Sequence, residues 1–166
     1  MSKSMLAMIA AVVFSCVLAA SASASDNQVS GVQLPGAMAP ACEDADASFT
    51  MTGGLVGCWY EDTIAFTKEK EAGGKMLVHF SGTEHFSGCL DVDGDGHCAP
   101  GDPHGTLSFA FTFTGQFFAF PENEIRGRCH HPVVSGTGDF AGATGVLNFK
   151  DDVAAGTSPY AGHIKL

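Results

Sequence analysis

Thr106-Leu107-Ser108-Phe109-Ala110-Phe111-Thr112-Phe113-Thr114 alternates strictly: Leu107, Phe109, Phe111 and Phe113 share one side of the chain, and only small or hydroxyl residues occupy the other. Successive side chains of an extended chain point to opposite faces, so a period of two marks a strand with one face buried. Residues 75–86 behave alike. Met76, Val78, Phe80 and Phe86 fall on one face, and His79, Ser81, Thr83 and His85 on the other. Glu84 is the intruder, a carboxyl group in the apolar row.

Outward from these two runs, strand signals recur at 47–52, 57–67, 116–120, 124–129, 146–150 and 160–166, about eight strands in all. Gly73-Gly74, Gly115 and Gly136-Thr137-Gly138 punctuate them. No stretch after the N-terminal segment sustains the i, i+3, i+4 spacing of a long amphipathic helix. Composition agrees, since 21 glycines and 13 phenylalanines in 166 residues favour strands and tight turns. The length suffices for one domain with its own core. The expected fold is all-β and antiparallel, a barrel or a sandwich. Residues 25–45 carry two prolines and no sustained period, and are read as a flexible lead-in to a domain over 46–166.

Lys3 is the only charged side chain before Asp26 and precedes an apolar run from Met5 to Leu18. The small residues 19–24 then offer Ala-x-Ala cleavage sites, so 1–24 reads as a secretory signal peptide. The run is shorter than the roughly 20 apolar residues that span a bilayer. A lipoprotein reading of Val13-Phe14-Ser15-Cys16 fits less well, because Val17 and Leu18 continue the apolar run. The expectation is a secreted or extracytoplasmic protein with no membrane segment after cleavage. Without Lys3, seven basic residues face 18 acidic ones, a net charge of −11. That balance argues against a nucleic-acid partner, whose phosphates would be repelled.

Five cysteines lie beyond the signal: Cys42, Cys58, Cys89, Cys98 and Cys129. An exported chain favours disulfides, and an odd count leaves one thiol over. Cys89 and Cys98 flank an Asp-Gly turn that a bridge would clamp, worth about 2.5–3 kcal/mol by chain entropy. A second bridge is expected between Cys58 and Cys129, leaving Cys42 free.

The segment Gly136-Thr137-Gly138-Asp139-Phe140-Ala141-Gly142-Ala143-Thr144-Gly145 resembles the Gly-Thr-Gly-x-Phe-x-Gly-Ala-x-Gly signature of dirigent proteins and of the allene oxide cyclase barrel, and is similar to small secreted bacterial proteins with that barrel. The resemblance implies a calycin-type, eight-stranded antiparallel barrel with a central cavity, a small apolar ligand, a homotrimer as in plant members, and either steering or cyclising isomerase chemistry. The matching residues form a structural turn, so the resemblance assigns none of them a catalytic role. The same glycines also fit Gly-x-Gly-x-x-Ala of dinucleotide sites. That reading lacks a following helix and a βαβ unit, so no nucleotide cofactor is expected.

Asp91, Asp93 and Asp95 hold the first, third and fifth places of a calcium loop, with Gly96 at the sixth, the His97 carbonyl at the seventh and Asp102 at the twelfth. Calcium, in a structural role, is one reading. A solvated acidic hairpin is the other, since flanking helices are missing and Asp replaces Glu at the twelfth place. Cys129-His130-His131 suggests zinc, but adjacent strand residues face opposite ways, and the pair is read as surface histidines beside a disulfide cysteine. Glu84, if its face lines a cavity, is the best general acid or base; at an edge it would instead pair with Arg126 or Arg128. Three functions stay open: a binding module for a small apolar molecule, an isomerase or cyclase using Glu84, and a packed structural barrel.

Overall fold

The computed structural model describes residues 26–166; the stretch 1–24, read above as a signal peptide, lies outside them. Eight strands form: β1 Asp26–Pro35, β2 Phe49–Gly53, β3 Leu55–Ala72, β4 Lys75–Leu90, β5 His104–Phe117, β6 Glu124–Gly136, β7 Thr144–Lys150 and β8 Ser158–Lys165. Each pairs antiparallel with its neighbour in sequence, and β8 returns to β1, so the sheet closes into a barrel. Closure removes most free edges, which an open sheet of this size would expose.

One expectation is corrected at the N-terminus. Part of the supposed lead-in 25–45 is β1, the stave that closes the ring by pairing with β2 and β8. Its inward row, in step with buried Val29, is Asn27, Val29, Gly31 and Gln33. That row holds two amides and a glycine, so it has no apolar period. Gly31 is required there: a Cβ would run into the Thr52 carbonyl and the Tyr160 ring.

One end of the barrel is solid. Met51, Leu55, Trp59, Phe86, Leu107, Phe109, Leu147 and Ile164 are fully buried there. The glycine-rich segment supplies the plug: Gly138–Phe140 makes one 3-10 turn, and Phe140 drops into the core beside Phe86. Gly138 at φ 62° reverses the chain where a side chain would be strained. Truncating Phe140 to alanine should cost about 3–5 kcal/mol.

The other end is open. Hairpins β3–β4, β5–β6 and β7–β8 turn there. β2 reaches only Trp59 of β3, so the upper part of β3 has no partner on that side among the described residues. Charges at Glu61, Asp62, Lys68, Glu69, Lys70 and Glu71 and two register shifts blunt that edge.

Cys89–Cys98 forms as expected, but Cys58 bonds Cys42, and Cys129 is the free thiol. Parity explains the correction. Cys58 lies next to inward Trp59 and faces outward, where Cys42, Ala47 and Tyr60 pack on it. Cys129 lines the interior, so a Cys58–Cys129 bridge would have to pass through the sheet.

Candidate functional site in the open half of the barrel

The open half encloses a cavity of about 480 Å³. Its walls carry seven phenylalanines: Phe49, Phe66, Phe80, Phe111, Phe113, Phe120 and Phe149. Phe80, Phe111 and Phe113 come from the inward rows of β4 and β5, the two runs whose alternation is clearest in the sequence. Phe80 stacks on Phe113 at 5.3 Å, and Phe66 and Phe120 meet it edge-on or tilted near the mouth.

Deep in the cavity, Glu84 on β4 faces His131 on β6. His131 Nε2 and Glu84 Oε2 share a hydrogen bond of 2.6 Å, with the two side chains 4% and 8% exposed. The imidazole is boxed by Trp59, Phe109, Phe111 and Phe149, with centroid distances of 4.6–6.2 Å. Nδ1 of this ring is buried without a hydrogen-bond partner among the described residues. Glu84 is thus an interior group and not an edge residue. Arg126 and Arg128, the partners considered for an edge position, lie exposed on β6. The reading of His131 as a surface histidine is corrected: it is 3% exposed. His130 does face outward, hydrogen bonded to Asn148.

Three more carboxyl groups line the cavity: Glu61, Glu124 and Asp151. Glu124 Oε1 and Asp151 Oδ2 both crowd the space where a Cβ would stand on Gly127. Burial and then the neighbouring Asp151 push the Glu124 carboxyl up to about 7. Burial, then Glu84, raises Glu61. Asp151 also accepts from Ser158 Oγ at 2.7 Å. The Cys129 thiol is pushed far up by burial and by Glu84, Asp151, Glu61 and Glu124 together. That set of influences places Cys129 amid all four acids, in a form that is a poor nucleophile.

His79 and His85 lie outside the cavity: His79 meets Thr114 Oγ1 at 3.0 Å, and His85 pairs with Asp62 at 2.8 Å.

The acidic loop joins β4 to β5 at the solid end. Asp91, Asp93 and Asp95 bring carboxylate oxygens within 4.8 Å of one another. Asp91 is buried, which opposes its charge, yet the N–H groups of Gly96 and Gly94 outweigh that and hold its pKa below the usual range. Asp93 accepts weakly from Asp95 N–H, but Asp91 and Asp95 beside it raise its pKa. Asp102 does not join the trio; its carboxylate accepts from Ala99 and Val92. The His97 amide donates to Asp95 Oδ1. The structure therefore assembles the first three positions of the expected cation loop and not the twelfth.

No family model, curated protein or solved structure matches this chain. Any functional reading rests on the cavity itself.

Proposed function

We propose that this protein is an extracytoplasmic binding barrel that takes a small, mostly apolar molecule into its open half. The observation that carries this reading is the phenylalanine-walled cavity of about 480 Å³ floored by the buried His131–Glu84 pair. A purely structural barrel would fill both halves as Trp59, Phe109 and Phe140 fill one. Instead apolar walls enclose volume, with a few polar groups at depth to orient a guest. The signal-type N-terminus and two disulfides support export. Kinship with the allene oxide cyclase and dirigent barrels, and with it a homotrimer, rests on the resemblance of residues 136–145 to their signature.

Native mass spectrometry of the protein secreted by its own host tests this. A copurified organic mass, lost in a Phe113→Trp variant that fills the cavity, is expected; a bare chain that also takes up no apolar dye would overturn the reading.

A second reading has its own support. A hydrogen-bonded His–Glu pair at the bottom of an aromatic-walled pocket is suited to moving a proton on a bound substrate, as an isomerase or cyclase requires. Turnover that survives Glu84→Gln would exclude it.

A further inference from the structure

We propose that the guest of this cavity is an organic ammonium ion: an aromatic or aliphatic body carrying a protonated primary or secondary amine. The inference rests on the cavity being a binding site and names the chemistry that it selects.

The wall is unusual in charge. Four carboxyl groups line it and, among the described residues, no lysine or arginine does. They come from four places in the fold: Glu61 on β3, Glu84 on β4, Glu124 on β6 and Asp151 just after β7. Only Glu84 has a basic partner, His131. Glu124 and Asp151 instead face each other over Gly127, where the missing Cβ makes the room. Two carboxyl groups so placed repel when both are ionised, and a cation between or beside them removes that cost. Glu124 Oε1 and His131 Nδ1 are both buried and unpartnered. In the neutral tautomer that donates to Glu84 through Nε2, Nδ1 is an acceptor open to a ligand N–H.

The aromatic lining points the same way. The face of a phenylalanine ring is electron-rich and attracts a cation, most strongly where water is excluded. Seven such rings around acidic groups form a surface that rewards a positive charge on an apolar body. A fatty acid or other anionic amphiphile would meet four acids and one imidazole, His131, already engaged by Glu84. A neutral alcohol would fill the volume but leave the Glu124–Asp151 pair uncompensated.

Three ligands of nearly equal shape separate these possibilities: naphthylmethylamine, naphthylmethanol and naphthoate. Binding is read by calorimetry at neutral pH, and occupancy by displacement of an apolar fluorescent dye from the cavity. The amine should bind about tenfold or more tighter than the alcohol, and naphthoate weakest. In Glu124→Gln and Asp151→Asn, each near-isosteric, the preference for amine over alcohol should collapse while alcohol binding persists. Alcohol binding equal to amine, or naphthoate binding tightest, would overturn the ammonium proposal and leave the cavity reading intact. No binding by any of the three, with no dye taken up by the cavity, would overturn both.

Discussion

His131 and Glu84 sit 47 residues apart in the chain and share one hydrogen bond of 2.6 Å inside the barrel, each less than a tenth exposed. The bond links β4 to β6 across β5, so neither residue can be removed without stranding the other in an aromatic box. Glu84→Ala or His131→Ala should each cost about 3–5 kcal/mol, because an unpaired polar group is left buried. Replacing both together, as Glu84→Leu with His131→Phe, should cost much less than the sum of the singles. Urea unfolding of the four proteins measures this, and additive single costs would mean that the two groups do not act as a pair.

The Glu124–Asp151 pair gives a pH dependence of definite sign. The Glu124 carboxyl titrates near 7 in the folded chain against an ordinary value of 4.5. Between those values the folded state holds more protons than the unfolded one, so this group makes stability fall as pH rises from about 4.5 to 7, and level off above. Glu61, shifted the same way, adds to the slope. Asp151, Glu84, His131 and Cys129 also line the cavity, while Arg126 and Arg128 lie on the outer wall. Glu124→Gln should flatten this part of a melting-temperature profile and stabilise the protein at neutral pH. Ammonium affinity should run oppositely, weakening on acidification below about 7 as the pair takes up its proton. Parallel rather than opposed slopes would contradict the assignment.

Disulfide mapping has one expected answer. Linked peptides should join Cys42 to Cys58 and Cys89 to Cys98, with Cys129 alkylated only after unfolding. Cys42→Ser with Cys58→Ser should lose about 3 kcal/mol by chain entropy, whereas Cys129→Ser should leave the melting temperature nearly unchanged. A native Cys58–Cys129 link would require a different register for β3 or β6.

Those outcomes trace which features a single sequence can carry. The phenylalanine rows of β4 and β5 were legible because their two faces differ in polarity; Phe86 and Phe109 fill the solid end, and Phe80, Phe111 and Phe113 wall the cavity. β1 was not, because its inward row of Asn27, Val29, Gly31 and Gln33 is chosen for close approach and hydrogen bonding, not for apolar burial. Glu84 stood out as one acid in an apolar row. His131 did not, although Ile125, Cys129 and Val133 share its parity against Arg126, Arg128 and His130, because pairing Cys129 with Cys58 hid that alternation. Its partner lies across β5, at a distance in sequence that no periodicity reports. The Cys42–Cys58 bridge had a usable sign: Cys58 has the opposite parity to Trp59, the largest residue in its strand and one that would be expected to turn inward.

The acidic loop provides the last test. Asp91, Asp93 and Asp95 crowd one another enough to raise Asp93, and the Cys89–Cys98 bridge closes the loop on which they stand. A calcium ion would replace that repulsion with attraction and would bind the folded loop only. Because the Asp102 carboxylate is committed to Ala99 and Val92, the ion would lack the usual twelfth-position ligand, so affinity should fall in the weak extracellular range of about 0.1–1 mM. Calcium at about ten times its Kd should then add about 1.4 kcal/mol, a rise of a few degrees in Tm. Asp93→Asn should abolish the calcium-dependent rise while stabilising the metal-free protein slightly, since one of three crowded charges is gone. Calorimetric melts with calcium, with magnesium and with chelator measure both effects. A Tm that ignores calcium at millimolar concentration would return the loop to a solvated acidic hairpin, held by its own Asp91-to-glycine hydrogen bonds.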